Sequence, residues 1–506
     1  MDTAGQESQG TGAMKKAVII GSGLGGLATA LRLITAGYSV TILEKNKTPG
    51  GRLNQLKLDG FKFDIGPSFM SMTYETEELF RSCGIPLSLE LKELDPLYQV
   101  FFEHQPHPYR IWKDLSILEE EFAGIEPHLK TKVERYLAQG RKIFNNTEAP
   151  LIKSNVYGLT DFLGKIARRD ITLLPYLFRN MWQEVERNFS SREAKVIFSL
   201  VSFFLGATPF ETPAIYSLLN YVEFRHNGYW GVQDGMYRII EELEKILRDK
   251  GANFIFETEV KEVLEENNRA TGVKDQNGRR WEADVFVCNA DAASFRGLIL
   301  KRPQYSPCRL DKMHWGFAPF TIYLGVQGKI ENAMQHNYFL GNNFKGYARK
   351  FLSSSASPER PYYYVNVASK ACPGYAPPGC ESILILCPVP DLRFKKNWTD
   401  KDNFADNIIN DFSKRVHFNV MKNTLTRKIL TPEDWESMFN LYRGSGLGLC
   451  HGLFQIGYFR PKNKDEKLGN FYYVGASTVP GTGLPMVIVG SKLTFERIIQ
   501  DHGPLS

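Results

Sequence analysis

Short apolar runs and one stretch of helical periodicity alternate over the first fifty residues. Residues 17–20 are apolar and mostly β-branched, which predicts a buried strand of a parallel sheet. Apolar residues then recur at helical spacing from residue 27 to residue 34, and Gly37 lies where such a helix would end. Residues 39–43 predict a second strand. The pattern therefore predicts a βαβ unit, which is the building block of a parallel sheet.

Glycines occupy the turn between the first predicted strand and the helix. Gly21, Gly23 and Gly26 follow the spacing G-x-G-x-x-G, and Glu44 closes the second strand. In such a unit the first glycine permits the tight turn, the second lets the backbone approach a pyrophosphate, and the third lets the helix pack on the strand. The helix N-terminus attracts phosphate, and an acid after the second strand accepts hydrogen bonds from ribose. The arrangement favours a dinucleotide site over a tight turn that binds nothing.

The far end of the chain repeats this layout. Residues 471–474 predict a strand, a turn rich in glycine and proline follows, and residues 487–499 predict a helix. Between the two ends, residues 254–288 alternate as short strands, and Asn277-Gly278 is a strong hairpin signal. The sequence thus predicts a second helix N-terminus beside a flexible turn, in addition to the one near Gly23.

Length and composition exclude several classes of function. With 506 residues, of which 43% are hydrophobic, the chain is expected to form more than one domain. The net charge of +6 is modest and no nucleic-acid motif accompanies it, so no nucleic-acid partner is predicted. The seven cysteines and nine histidines are dispersed without a C-x-x-C pair. This predicts no metal site and indicates reduced thiols in the cytoplasm.

Leucines and aromatic residues are interleaved with cations between residues 162 and 182. No apolar run reaches the ~18 residues of a transmembrane helix. An ordinary helical domain explains the pattern and is slightly favoured on pattern alone. The alternative is a surface that lies in a membrane interface, with its apolar side chains in the lipid and its cations on the phosphates.

Three further segments carry a family resemblance. Gly50-Gly51-Arg52 follows the predicted ribose acid, and residues 61–67 (FKFDIGP) form an aromatic-x-x-Asp-x-Gly-Pro turn. Residues 475–485 read GASTVPGTGLP, and residues 209–223 contain the pattern PF…P…YSLL…E. Together these segments resemble the bacterial and fungal phytoene desaturase family, within the FAD-dependent amine oxidase-like superfamily. The resemblance extends from about residue 16 to residue 499.

Three positions depart from the pattern of that family. Val479 stands where most of these proteins have histidine, Val232 replaces a proline, and Asp234 replaces a glycine. These departures bear on the identity of the substrate more than on that of the cofactor.

The resemblance implies an α/β fold, namely a two-domain flavoprotein with a Rossmann-type FAD-binding domain and an α+β substrate domain. A flexible tail is expected over residues 1–14. The FAD-binding domain is expected to comprise residues 15–84, 226–300 and 441–506, and the substrate and membrane-associating domain residues 85–225 and 301–440. The oligomeric state is left open.

The resemblance also implies FAD as the cofactor and a set of residues that contact it. These are Gly21, Ser22, Gly23, Gly25, Gly26, Glu44, Lys45, Gly51, Arg52, Gly66, Pro67, Ser68, Val260, Asn289, Asp291, Gly475, Ala476, Gly483, Leu484, Pro485 and Met486.

The activity implied is desaturation of a carotenoid precursor such as phytoene, with hydride transfer to the flavin. Glu223 and Tyr216 are the candidate catalytic residues, Glu223 more as a structural acid than as a base. The expected partners are a hydrophobic polyene and a membrane surface, and the expected location is the cytoplasm, peripherally on that membrane. The alternatives are a desaturase, isomerase or oxygenase of a modified or C30 carotenoid, an amine oxidase, and a non-enzymatic lipid carrier of the same fold.

Overall fold

The computed structural model describes residues 14–503, so the tail expected over residues 1–14 lies, apart from Met14, outside the described residues. The strands are β1 Lys16–Ile20, β2 Ser39–Leu43, β3 Gln55–Leu58, β4 Phe61–Asp64, β5 Leu91–Glu93, β6 Tyr98–Phe102, β7 Tyr109–Ile111, β8 Trp230–Val232, β9 Asn253–Ile255, β10 Val260–Glu266, β11 Arg269–Asp275, β12 Arg280–Trp281, β13 Val285–Cys288, β14 Ala318–Gln327, β15 His336–Leu340, β16 Tyr363–Val367, β17 Cys380–Val389, β18 Thr424–Leu430 and β19 Phe471–Tyr473.

The helices surround these strands and fill the middle of the chain. They are α1 Leu24–Thr35, α2 Thr73–Ser82, α3 Leu115–Glu121, α4 Leu129–Thr147, α5 Leu159–Ala167, α6 Pro175–Phe178, α7 Met181–Asn188, α8 Arg192–Ser199, α9 Leu218–Tyr221, α10 Arg238–Asp249, α11 Ala292–Leu298, α12 Pro307–Lys312, α13 Phe344–Lys350, α14 Lys401–Arg415, α15 Val420–Asn423, α16 Pro432–Phe439 and α17 Leu484–His502. Two π-helical turns, Glu148–Ile152 and Val222–His226, follow α4 and α9. Within residues 14–503 no helix is both long and apolar enough to cross a bilayer.

A five-stranded parallel sheet brings the two ends of the chain together. Its order is β19-β13-β1-β2-β9, with Val18 opposite both Phe286 and Thr41. The strand, helix and strand predicted for residues 17–43 are confirmed as β1, α1 and β2. The carboxyl ends of all five strands meet at one edge, where an open parallel sheet binds ligands.

Helices α1, α10 and α17 cover one face of this sheet. Their apolar stripes bury Leu27, Leu31, Leu243 and Ile488 against Ile42 and the neighbouring strands. Helix α17 begins at Leu484, three residues earlier than the predicted helix of residues 487–499. The reason is Pro485, which is compatible with the first turn of a helix because the N–H groups there have no intrahelical acceptor.

The segment between the two ends also follows its predicted pattern. Strands β10, β11 and β12 form a three-stranded antiparallel sheet. The predicted Asn277-Gly278 turn joins β11 to β12, and Gly278 adopts φ +79°. A second tight turn at Asn267 and Asn268, both with positive φ, joins β10 to β11.

A larger mixed sheet of seven strands, in the order β18-β14-β17-β16-β15-β6-β7, forms the second layer. One face packs on α14, where Phe320, Ile385 and Phe412 lie in a fully buried cluster. On the other face Tyr338, Tyr364 and Leu386 are cross-strand neighbours, since Tyr364 pairs with Tyr338 of β15 and with Leu386 of β17. Residues that pair directly across two strands lie on the same face of a sheet. The sequence-predicted strands near residues 320–326 and 362–367 are confirmed as parts of β14 and β16.

Helices α3, α4, α7 and α8 pack around a separate core of aromatic and aliphatic side chains, which includes Leu137, Val185 and Phe198. The two sheets with their own helical layers confirm the expected two-domain α/β architecture. The domain boundaries stay a prediction, since β5 from the expected substrate portion pairs with β8 from the expected cofactor portion.

Candidate cofactor and substrate site

One cavity of about 990 Å³ connects the edge of the parallel sheet with the aromatic face of the seven-stranded sheet. This volume lies at the upper end of the ~300–1,000 Å³ typical of ligand pockets. The cavity has a polar part, which we call the groove, lined by the turn after β1, Glu44, Arg52 and the turn before α17. Its apolar part, the tunnel, is lined by aromatic and aliphatic side chains between the helical region and the large sheet.

The turn after β1 leaves room for a ligand at the N-terminus of α1. Gly21 adopts φ +94°, a conformation that favours glycine. Gly23 occupies the N-cap position of α1, so the first N–H groups of the helix face the groove without a capping side chain. A Cβ atom on Gly23 would lie 2.7 Å from Oδ1 of Asn289. A Cβ atom on Gly26 would lie 2.3 Å from the carbonyl oxygen of Gly21, so Gly26 serves close packing of the helix on the strand.

Glu44 is a buried carboxylate at the bottom of the groove. Its Oε2 accepts hydrogen bonds from the backbone N–H of Ser22 at 2.8 Å and from the Ser22 hydroxyl at 2.6 Å. Its Oε1 accepts a hydrogen bond from the backbone N–H of Asn46 at 2.8 Å. Because a carboxylate offers about four lone-pair sites, Glu44 retains acceptor capacity for a ligand hydroxyl in the groove.

Arg52 supplies a partly buried cation to the groove. Its Nη1 donates to the carbonyl oxygen of Gly446 at 2.6 Å. Burial lowers the pKa of the Arg52 guanidinium, and the charge of Asp291 opposes that shift. Asp291 also accepts a hydrogen bond from the Ser477 hydroxyl and caps α11 through the backbone N–H of Ser294. The groove therefore places one fixed positive charge between two glycine-rich turns.

The turn before α17 offers a second helix N-terminus to the groove. Gly483, with φ +108°, is the N-cap residue, and it exposes the first N–H groups of a 19-residue helix. Asn289 connects this turn to β13, because its Nδ2 donates to the carbonyl oxygen of Val474 at 3.0 Å. Two helix N-termini thus converge on the same cavity, which favours an anionic or electron-rich ligand there.

The structure brings the predicted cofactor residues together. Lining the cavity are Gly21, Gly23, Gly25, Glu44, Lys45, Gly51, Arg52, Gly66, Pro67, Ser68, Val260, Asn289, Asp291, Gly475, Ala476, Gly483, Leu484, Pro485 and Met486. Ser22 and Gly26 lie one layer behind the wall, where Ser22 holds Glu44 and Gly26 packs against Gly21. Cofactor contact by each of these residues stays a prediction.

The two predicted catalytic residues differ in position. Tyr216 lines the tunnel, and its ring lies edge-on to that of His451 with centroids 5.8 Å apart. Glu223 is 1% exposed and lies behind the tunnel wall, where it accepts a hydrogen bond from Nδ2 of Asn220 at 3.0 Å. Burial raises the pKa of Glu223 to about 7, while hydrogen bonding to Tyr98, Asn220 and Tyr229 opposes the rise. Tyr229 lines the tunnel and separates Glu223 from it.

Sequence reasoning missed His451, a buried histidine at the junction of groove and tunnel. Its Nε2 accepts a hydrogen bond from the backbone N–H of Thr482 at 3.3 Å, within the turn that leads into α17. Burial and the charge of Arg460 lower the pKa of His451 well below its usual range, so the imidazole is neutral. The residue lies 31 positions before Thr482 and belongs to none of the motifs, so no sequence pattern pointed to it.

The tunnel wall also contains a tyrosine that the motifs did not single out, and a second buried histidine lies behind that tyrosine. Tyr364 lines the tunnel beside Ser68, and its hydroxyl lies 2.6 Å from Nδ1 of the buried His336. The strand that carries Tyr364 was predicted, but the face on which each of its two tyrosines lies depends on the register with neighbouring strands.

Comparison with known proteins shows which family the chain matches. Residues 24–498 match the family described as flavin containing amine oxidoreductase. The chain is 32% identical over 490 residues to a zeta-carotene-forming phytoene desaturase of Myxococcus xanthus, covering 96% of this chain and 94% of that protein. It is 30% identical over 512 residues to a phytoene desaturase of Phycomyces blakesleeanus, covering 97% of this chain and 86% of that protein.

The solved structures agree on the fold. An oxidoreductase from Methanosarcina mazei superimposes with a TM-score of 0.65 at 17% identity, covering 95% of this chain and all of the other. At this level of identity the likeness concerns the architecture alone.

Proposed function

The chain belongs to the family of flavin containing amine oxidoreductases and, within it, to the group of the phytoene desaturases. On that premise we propose that it is an FAD-dependent desaturase of a carotenoid precursor such as phytoene. The observation that carries the proposal is the continuity of the cavity, since the polar groove opens directly into an aromatic tunnel. A desaturase of a long apolar chain needs this continuity because one carbon–carbon bond must lie beside the flavin in a site without water.

The residues of the groove suit FAD. Gly23 has no side chain, so a diphosphate could come close to the backbone there and to the first N–H groups of α1. Glu44 has acceptor capacity for ribose hydroxyls. Arg52 and the N-terminus of α17 provide positive potential for the flavin end. When bound, the flavin would supply the chemistry that accepts a hydride from an allylic carbon.

The tunnel residues would bind and orient the polyene. Phe69 and Phe204 lie edge to face with centroids 5.8 Å apart, and Tyr229 packs against Phe69 at 4.6 Å. These rings give apolar faces along the tunnel while excluding water from the reacting bond. Few polar groups interrupt this surface, which favours a hydrocarbon substrate over the charged amine that an amine oxidase would bind.

We also propose that the protein docks on a membrane surface through an exposed apolar patch. The patch comprises Tyr157, Leu159, Leu163, Phe454 and Phe459, each about half exposed or more, with Phe454 at 78%. Phe162 joins its two parts, because its ring packs on Tyr458 at 5.9 Å and on Phe459 at 6.3 Å. All nine residues of α5 are at least partly exposed, which is unusual for a helix of this apolar character.

Charge and position support a lipid surface as the occupant of the patch. Arg168, Arg169 and Arg497 lie in or beside it, and Arg497 stacks on the Tyr157 ring at 4.5 Å. The π-helical turn Glu148–Ile152, which contributes Glu148 and Ile152 to the cavity wall, leads into the patch along the chain. A polyene dissolved in a bilayer would therefore have a short path into the tunnel.

The test of the activity is anaerobic incubation of the purified protein with phytoene in liposomes. We expect a flavin absorbance spectrum that bleaches as polyenes with additional double bonds appear on chromatography. A protein that binds FAD but does not bleach with any carotenoid would contradict the desaturase assignment. A protein without flavin affinity would favour the lipid-carrier alternative.

A further inference from the structure

We infer that Tyr364 is a catalytic residue of the proposed desaturation, and that it accepts the substrate proton while passing its own proton to His336. The inference rests on the proposed function, because it concerns the proton that must leave after the hydride. It is carried by the pairing of a phenol on the tunnel wall with a neutral, buried imidazole directly behind it.

The hydrogen bonds around His336 define its tautomer. Nδ1 of His336 lies 2.6 Å from the Tyr364 hydroxyl and 3.3 Å from Nδ2 of Asn366. An amide Nδ2 is a donor, so we assign Nδ1 as the acceptor and place the ring proton on Nε2, a buried nitrogen for which the described residues offer no acceptor. The Tyr364 hydroxyl therefore donates to Nδ1, and its oxygen accepts a 3.3 Å hydrogen bond from Nδ2 of Asn366, which leaves one lone pair for a group in the tunnel.

The imidazole is held neutral and in place. His336 is buried on β15, and burial lowers its pKa to about 3. The Phe69 ring lies edge-on to it at 5.2 Å. A neutral imidazole of low basicity can still take this proton, because a carbon next to an allylic cation is a far stronger acid than an imidazolium ion.

The phenol lies beside the groove. Tyr364 lines the cavity, and the Ser68 hydroxyl, which belongs to the turn predicted to contact FAD, approaches the phenol closely enough to oppose the burial-driven rise of its pKa. Tyr338 and Leu386 flank Tyr364 on the two neighbouring strands of the same face. Tyr364 thus combines a place next to the groove with a base behind its hydroxyl.

The proposed step balances. When bound, the flavin would act as the two-electron oxidant that takes a hydride from the allylic carbon, which would leave a delocalised cation. The C–H bond on the neighbouring carbon then breaks, its electron pair forms the new double bond, and the proton goes to the Tyr364 oxygen. The phenol proton moves to Nδ1 of His336, which ends as an imidazolium ion while the polyene is neutral.

The functional test compares hydride removal with product formation in a single anaerobic turnover of the FAD-loaded protein. We expect Tyr364→Phe and His336→Gln to bleach the flavin but to form at least tenfold less desaturated polyene per flavin bleached. The trapped cation would be recovered as a water adduct or a double-bond isomer. His336→Gln keeps a hydrogen-bond acceptor for Tyr364 but cannot take up a proton, which separates chemistry from structural support.

Two further variants make the test specific. Tyr472→Phe removes a phenol hydrogen bond of the same 2.6 Å length, to Asp501, outside the cavity, and should leave the ratio of product to bleached flavin unchanged. Tyr229→Phe removes another wall phenol that has an ionisable partner, Glu223. The assignment of Tyr364 would be overturned if Tyr364→Phe kept the wild-type ratio of product to bleached flavin. It would also be overturned if only Tyr229→Phe lowered that ratio. Absence of bleaching in the wild type would instead contradict the proposed function.

A second readout does not depend on turnover. In protein labelled with ¹⁵N-histidine, the His336 signal, assigned from its loss in His336→Gln, should report a proton on Nε2 and a hydrogen-bonded Nδ1. Tyr364→Phe should shift the Nδ1 resonance, because its short hydrogen bond is lost. A proton on Nδ1 in the wild type would overturn the proposal, since the imidazole then could not accept from Tyr364.

Discussion

The hydroxyl of Ser22 donates a 2.6 Å hydrogen bond to Oε2 of Glu44, and the backbone N–H of the same serine donates a second one. The carboxylate at the bottom of the groove is therefore oriented before any ligand arrives, and this pre-organisation reduces the cost of binding.

We expect Ser22→Ala to weaken FAD binding about fivefold (about 1 kcal/mol), because the variant loses one of the two hydrogen bonds that orient Glu44 while the backbone N–H at position 22 still donates to it. Glu44→Gln should weaken it more, about 10- to 100-fold, because the ribose loses a charged acceptor (about 1.5–3 kcal/mol). Titration of flavin fluorescence against the FAD-free protein measures both affinities. If Glu44→Gln bound FAD as tightly as the wild type, Glu44 would not be a cofactor residue.

Gly23→Val tests the approach of the backbone to the diphosphate. The new side chain starts from a Cβ atom 2.7 Å from Oδ1 of Asn289 and extends into the space before α1. We expect the dissociation constant of FAD to rise about 100-fold, which corresponds to about 2.8 kcal/mol. The matched control is Gly374→Ala, whose Cβ atom would meet open space. Stoichiometric flavin in purified Gly23→Val would contradict the diphosphate site.

The membrane patch predicts a specific loss of vesicle binding. Phe454→Ser combined with Phe459→Ser removes two exposed rings, each of which would gain up to about 1.5–3 kcal/mol on full burial in lipid. We expect co-sedimentation with anionic phospholipid vesicles to fall at least tenfold. Leu425→Ser, at an exposed leucine on β18, is the control and should bind as the wild type does. Equal loss in both proteins would argue against a localised docking surface.

Glu223 predicts a pH dependence of stability. Its pKa is about 7 in the folded chain and about 4.5 in the unfolded chain, so the fold favours the protonated acid. The unfolded state therefore releases this proton at lower pH, and the free energy of unfolding falls as the pH rises from about 4.5 to about 7. Above about pH 7 this loss of stability is complete, and its size no longer changes with pH.

Glu223→Gln removes this contribution while keeping an acceptor for Asn220. In denaturant unfolding, the stability of the variant relative to the wild type should therefore increase between pH 5 and pH 8. Glu120→Gln, at an exposed position on α3, should follow the wild type across this range. A relative stability of Glu223→Gln that does not change with pH would show that the carboxyl is not protonated in the fold.

The cofactor portion was predictable from the sequence because its signals are local. The strand, Gly21-to-Gly26 turn and helix are contiguous, and each glycine has its own steric reason. The approach of the chain ends could also be anticipated, because the turn before α17 repeats the same logic. The exact start of α17 was missed, since a proline in the first turn is compatible with both a loop and a helix.

The tunnel was less predictable because it is formed by long-range contacts. Tyr338 and Tyr364 become neighbours only through the register between β15 and β16. His336 has no motif of its own, and its partner lies 28 residues away. Glu223 was found through its segment, but its burial behind Tyr229 depends on how the helical region packs on the large sheet.

The order of the parallel sheet has a consequence for biosynthesis. Strand β19 pairs with β13, which pairs with β1, so the edge strand of the sheet is translated about 450 residues after the first strand. At the usual rate of synthesis this interval is about 20–90 s. Helix α17 and its turn emerge later still, so a nascent chain cannot close the groove around a flavin. Cofactor loading must then follow translation, and the waiting N-terminal strands are the part of the molecule that chaperones would have to protect.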